Sequence, residues 1–89
     1  MQRTKLIATE IAMPTTAGTA SSISEATCVR LFNGSGAAAI VSISTVVGAA
    51  TTNQFTMATG SVEFLQKAAT DVIFASAATV KASKVGFTN

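Results

Sequence analysis

The stretch Asn33-Gly34-Ser35-Gly36-Ala37-Ala38-Ala39-Ile40-Val41-Ser42-Ile43-Ser44-Thr45-Val46-Val47 decides how this chain is to be read. Three incompatible structures compete for it. A membrane span needs about 20 predominantly apolar residues. The apolar-to-small part, Ala37 to Ala50, is only 14 residues long and contains Ser42, Ser44 and Thr45. A dinucleotide-binding loop is the second possibility, because Gly34-Ser35-Gly36-Ala37-Ala38-Ala39 has the fingerprint spacing. That motif opens a helix and expects an acid about 20 residues on. Here β-branched residues follow, and the next acid is Glu63. The third reading is a turn feeding a buried strand. Asn and Gly both tolerate the positive φ of a tight hairpin, and the Ile/Val/Ser/Thr run suits a pleated surface. The expectation is therefore a hairpin, with a strand over Ala26–Phe32 leading in and one over Ala37–Val47 returning.

The same punctuation recurs on both sides. Arg3–Met13 reads as an extended segment, with Leu6, Ala8 and Glu10 on one face and Ile7 and Ile11 on the other or beyond a bulge. Pro14 stops it, since proline cannot donate to a ladder. Thr15–Ser22 is small and polar and reads as a loop or arm. Gly48–Asn53 is a second loop, and Gln54–Ala58 a short strand with Phe55 and Met57 on one face. Thr59-Gly60-Ser61 turns the chain into Val62–Lys67. Ala68-Ala69-Thr70 then connects to strands at Asp71–Ser76 and Thr79–Phe87. One competing reading stays open: Glu63 and Lys67 at i,i+4 in an Ala-rich context fit a helix over Ser61–Ala69. Short strands at roughly ten-residue spacing predict an all-β fold, a single small antiparallel β-sandwich of about 7–8 short strands. Residues 1–14 form an N-terminal extended segment or arm, and residues 15–89 the β-sandwich domain.

Composition bounds the chemistry. The chain has 89 residues, no His, Trp or Tyr, one Cys and four acidic residues. Few acids, bases, nucleophiles or metal ligands are available, so no catalytic, cofactor or metal site is expected and the chain is read as a non-enzyme. The net charge of +2 is small and the basic residues Arg3, Lys5, Arg30, Lys67, Lys81 and Lys84 are scattered, which argues against nucleic acid. Arg3 and Lys5 before Leu6-Ile7-Ala8 hint at a signal peptide, but Glu10 interrupts a short apolar run. Cys28 reads as a small buried hydrophobe. A core made largely of Val, Ile and Ala is thin for so short a chain. Small scaffolds usually add disulfides, metals or partner subunits, and with one Cys and no ligand cluster the expectation is association: a homo-oligomer or docking on a larger assembly.

The remaining motifs have ordinary explanations. Asn33-Gly34-Ser35 is a glycosylation sequon, but a turn accounts for it. Ser22-Ile23-Ser24-Glu25 has capping-box spacing, yet Thr27-Cys28-Val29 are poor helix formers, so the serines are expected to flank a strand. Glu63, Lys67 and Asp71 are the one cluster of opposite charge, read as a surface salt bridge. A small domain with more apolar side chains than one core can use turns some of them into contact surface. Ile7, Ile11 and Met13 before Pro14, and Phe55 and Met57 in the charge-free stretch, are the candidate interface residues.

From Cys28-Val29-Arg30-Leu31-Phe32-Asn33, the pattern continues through Ala39-Ile40-Val41-Ser42-Ile43 and Thr59-Gly60-Ser61-Val62-Glu63-Phe64. It then takes in Lys67, Thr70-Asp71-Val72-Ile73, Ala75-Ser76-Ala77, Val80-Lys81-Ala82-Ser83 and Val85-Gly86-Phe87. Over roughly residues 26–87 this resembles small β-sandwich virion proteins of tailed bacteriophages. The resemblance implies a structural subunit located in the virion and assembled in the host cytoplasm. A capsid decoration or cement protein bound to the major capsid protein is the first expectation, and a neck, tail or connector component the second. It implies no catalytic residues and leaves the N-terminal segment outside the match; no nucleic-acid partner and no membrane partner are expected, on the dispersed charge and the short apolar run alone. In a different class, a small ligand- or glycan-binding β-module is the rival, disfavoured by the absence of Trp and Tyr for stacking sugars.

Overall fold

Among the described residues, eight strands, all paired antiparallel, make up two sheets that face each other as a β-sandwich. A computed structural model describes residues 3–48 and 53–88 of the chain. The strands are β1 (Arg3–Leu6), β2 (Ile11–Ala12), β3 (Cys28–Asn33), β4 (Ala39–Ser44), β5 (Asn53–Met57), β6 (Val62–Gln66), β7 (Val72–Ala75) and β8 (Val80–Thr88). The larger sheet runs β1-β8-β3-β6, with β2 also on β8, and the smaller runs β5-β4-β7. Strand β6 settles the open choice over Ser61–Ala69: the segment pairs with β3 from Cys28↔Gln66 to Phe32↔Val62. Of the loop expected at Gly48–Asn53, Ala49 to Thr52 lie outside the described residues.

Period-two alternation builds the core. Val29 and Leu31 of β3 point inward beside Leu65 of β6 and Ala82 and Val80 of β8. Opposite them stand Ala39 and Val41 of β4, Met57 and Phe55 of β5, and Ile73 and Ala75 of β7. Four of the five Phe rings lie at the margins: Phe32, Phe55 and Phe74 are half-buried and Phe64 is exposed. The interior is therefore carried by Val, Ala, Ile, Leu and Met.

One side of the sandwich is closed by the chain itself. After β2, Met13 N–H donates to the Val80 carbonyl at 2.9 Å on the larger sheet, and the Pro14 carbonyl accepts from Ala75 N–H at 2.9 Å on the smaller. Ser21 and Ile73 then exchange both main-chain bonds. The strap thus crosses from the β8 edge to the β7 edge and covers an edge that would otherwise invite pairing. Met13, Ala20, Ile23 and Ala26 drop from it into the interior. The expectation that Met13 forms part of a contact surface is corrected here: Pro14 ends the strand, but the chain continues inside the fold, and Met13 is 2% exposed.

The Asn33-Gly34 expectation is also corrected. Strands β3 and β4 belong to different sheets, so the segment is a crossing and not a hairpin turn. Neither residue adopts positive φ. Asn33 is fully buried, and its side chain makes a four-bond latch. Its Nδ2 donates to the carbonyls of Met57 at 2.9 Å and Ala37 at 3.1 Å. Its Oδ1 accepts from Ser35 N–H at 3.0 Å and Ser35 Oγ at 2.7 Å. That commitment also takes the sequon nitrogen out of solvent. The turn at Thr59-Gly60 is as expected: Gly60 has φ +75°, and Ser61 N–H donates to the Ala58 carbonyl at 3.1 Å. A type II turn requires that positive φ at its third residue.

Ser22-Ile23-Ser24-Glu25 forms neither helix nor strand. Ile23, Ser24 and Glu25 have φ of 53°, 57° and 57°, a single left-handed turn. Ser22 Oγ accepts from Glu25 N–H at 3.1 Å, as a capping serine would, and buried Ile23 anchors the turn in the core. L-residues in this region cost roughly 1–2 kcal/mol each.

Two outcomes test this description. Ser24→Gly relieves one left-handed residue at an exposed site and is expected to raise the unfolding free energy by about 0.5–1 kcal/mol in urea titration, after the entropy cost of glycine. Asn33→Ala strands the buried Met57 carbonyl and the part-buried Ala37 carbonyl and Ser35 N–H, and is expected to lower it by about 2–4 kcal/mol. A neutral Asn33→Ala result contradicts the latch.

Candidate functional site

The surface of interest is built at the larger sheet's N-terminal edge. Strand β8 pairs with β3 over Val80–Lys84 only, whereas β1 covers it from Val85 to Thr88. The two strands therefore continue past the end of β3 as a two-stranded ribbon. Every residue of β1 is exposed, Leu6 to 64%. A bulge separates β1 from β2: the N–H groups of Ile7 and Ala8 both donate to the Lys84 carbonyl, at 2.9 and 3.3 Å. Doubling of donors on one acceptor re-aims the chain. Ile7 comes to lie over Gly86, where a Cβ would stand 3.3 Å from Ile7 Cδ1. Ile7 and Ile11 stay 51% and 42% exposed.

The five candidate interface residues thus separate. Ile7 and Ile11 lie on the surface of one segment. Met13 is core, as described above. Phe55 is half-buried, and Met57 is 1% exposed. The expectation of a Phe55–Met57 contact surface is corrected for Met57: it stands opposite Ala39 on the inward face of β5 and belongs to the interior. Strand alternation had paired the two residues on one face, and that face is the core face.

Phe55 lies instead at the sandwich's open side. There the terminal strands β5 and β6 flank a cleft of about 330 Å³. Val41, Ile43, Phe55 and Leu65 give it an apolar floor, and the amides of Asn53, Gln54 and Gln66 rim it. Sequence reading missed this cleft because it depends on which strands end the two sheets. Other exposed apolar groups are Val62 and Phe64 on β6, Ile40 on β4, and Val46 and Val47 after β4.

The charged groups are dispersed. Arg30 Nη1 and Glu10 Oε2 are 3.4 Å apart, and both are partly exposed. The register places Arg30 beside Ser83 on the outer face, so the pair helps cover that buried hydroxyl. The Glu63-Lys67-Asp71 surface salt bridge is corrected. Lys67 is only 7% exposed, and its Nζ donates to the main-chain carbonyls of Asp71 at 2.9 Å and Ala68 at 3.2 Å. The connection at residues 68–71 wraps around the ammonium, and Glu63 points elsewhere, beside Leu31. Burial lowers the Lys67 pKa from its ordinary 10.5; Asp71 opposes the shift and Lys84 adds to it. Cys28 is a free thiol, half-buried rather than fully buried, beside Thr27, Phe64 and Gln66. Among the described residues no three His, Cys, Asp or Glu side chains gather as a metal site, and no helix is long and apolar enough to cross a membrane.

Comparison with known protein families, with characterised proteins and with solved structures gives no match to this chain.

The Lys67 geometry makes a pH prediction. Below the lowered folded-state pKa, both states hold the proton and the folded state bears the full cost of burying it. As pH rises from that value toward 10.5, the unfolded state binds more protons, so stability increases. Lys67→Met lacks this component. The stability difference between the variant and the natural chain should therefore shift steadily in favour of the natural chain across that window. A difference that does not change with pH contradicts the assignment.

Proposed function

We propose that this protein is a structural subunit of a tailed-bacteriophage virion, a decoration or cement protein that binds the major capsid protein and stabilises the shell. The observation that carries the reading is the N-terminal segment: exposed Leu6, Ile7 and Ile11 on a ribbon and bulge that reach beyond the sandwich. An isolated two-stranded ribbon is marginal in water. Apolar side chains held on such an element are well placed for burial against a neighbour. The sandwich supplies a rigid base, and the resemblance of residues 26–87 to small virion proteins supplies the class. Such a subunit works by covering contacts between capsid subunits, with no bond made or broken.

The test is co-sedimentation with particles that lack the protein. Removing residues 1–13 would also remove Met13 from the core, so point changes are the better probe. Ile7→Asp combined with Ile11→Asp is expected to keep the fold and lower particle occupancy at least tenfold, about 1.4 kcal/mol or more. Copy number separates the two virion positions. A number comparable to that of the major capsid protein fits decoration, whereas a single ring's worth moves the subunit to the neck or tail. Failure to bind particles at all would overturn the reading.

A further inference from the structure

We infer that Asn33-Gly34 is a deamidation site gated by folding: inert in the folded chain, reactive once the chain unfolds, and a bar to refolding after it has reacted. This holds for the purified chain whatever that chain binds, so it does not rest on the virion reading.

The chemistry is intrinsic to the dipeptide. The Gly34 main-chain nitrogen, losing its proton to hydroxide, attacks Cγ of Asn33. The Cγ–Nδ2 bond breaks, ammonia leaves, and a cyclic succinimide forms. Water then opens the ring at either carbonyl and gives isoaspartate or aspartate. No reactant beyond water and hydroxide is needed. A side chain on the following residue hinders the attack, so glycine is the most permissive neighbour. Asn53 is exposed but precedes Gln54, which makes it a slow site in the same chain.

The fold requires the two residues for separate reasons. Asn33 is needed because its Nδ2 donates to the Met57 and Ala37 carbonyls while its Oδ1 accepts from Ser35. Only an amide both donates and accepts in this way. Gly34 is needed because a Cβ there would stand 3.0 Å from the Thr79 carbonyl oxygen and 3.2 Å from Phe32 Cε2. A reactive pair is the by-product of these two demands meeting at adjacent positions.

The folded structure blocks the reaction at each of its parts. The peptide plane between the two residues is pinned at both ends. The Asn33 carbonyl accepts from Gly60 N–H at 2.8 Å, and Gly34 N–H donates to the Thr79 carbonyl at 3.1 Å. The plane therefore cannot turn its nitrogen onto Cγ, and the proton that must leave is held. The latch keeps Cγ from swinging toward that nitrogen, and full burial of Asn33 keeps hydroxide away. Met57, Gly60 and Thr79 are all remote in sequence, so unfolding removes every one of these restraints together.

The product cannot re-enter the fold. Aspartate at position 33 has no N–H for the Met57 and Ala37 carbonyls and sets a negative charge beside them in a buried site, a costly arrangement. Isoaspartate also lengthens the main chain by one carbon. Conversion thus records the time each chain has spent unfolded and makes that unfolding irreversible.

The experiment is peptide mass spectrometry of the purified full chain after incubation at mildly alkaline pH, folded or in guanidinium chloride. In guanidinium, Asn33 should convert well ahead of Asn53. In the folded chain it should convert about a hundredfold more slowly, or slower still, because only globally unfolded molecules react. Ser24→Gly, which stabilises the fold, should slow the folded-chain rate about twofold or more. Ile73→Val, a mild core truncation, should raise it about threefold or more. After the denaturant is diluted out, size-exclusion chromatography should return unconverted chains to the folded peak and leave converted chains outside it. Equal rates in the folded chain and in guanidinium overturn the inference. So does a folded-chain rate indifferent to Ser24→Gly and Ile73→Val, and so does recovery of converted chains in the folded peak.

Discussion

Strand β8 is the constraint on which the rest of the structure depends. Its first half is shared between β3 and β2, and its second half has β1 alone. A strand with a neighbour on both sides and a core beneath it is secure. A strand with one neighbour is less so. The change from the first situation to the second occurs near Lys84, where Ile7 and Ala8 both reach for one carbonyl. The bulge exists because the N-terminal segment must change course there, from running beside the part of β8 that β3 also pairs to running beside the part that β3 does not reach. It also leaves Leu6 and Ile7 in water.

The two flanks of the sandwich follow different solutions to the same edge problem. On the β7–β8 flank, residues 13–26 are folded in as a strap, with Pro14 and Ser21 occupying the edge groups of β7. The interior there is complete, and Met13 and Ile23 supply part of it. On the β5–β6 flank nothing from the described chain is laid across. The apolar floor of the cleft faces outward between two terminal strands. A domain of this size has little apolar material to spare, and here Phe55 and Leu65 stay half-covered. The polar latch at Asn33 belongs to the same economy: it fixes the crossing between sheets by hydrogen bonds, where a larger protein would use more side-chain volume.

Much of the fold was legible in the sequence. Alternation and turn residues located β3 to β8 to within a few residues, whereas β1 and β2 were read as one extended segment, with a bulge as one of two explanations for its broken face pattern. Strand pairing was not legible. Asn33-Gly34 carries the local chemistry of a hairpin, yet its amide is spent on Met57, a residue 24 positions away. No local rule contains that contact. Ser22–Glu25 kept the hydrogen bond of a capping box while its backbone turned the opposite hand, because the burial of Ile23 outweighed its dihedral preference. The candidate surface was half legible for a related reason. Period two says which residues share a face, so Phe55 and Met57 were grouped correctly. It does not say whether that face is covered, and for Met13 and Met57 it is.

Amide hydrogen exchange read residue by residue along β8 tests the account most directly. The account predicts that the Lys81 and Ser83 N–H groups, paired with β3, exchange only on global unfolding, whereas Gly86 N–H, paired with β1 alone, exchanges much faster through local opening. Equal protection along the whole of β8 would contradict it.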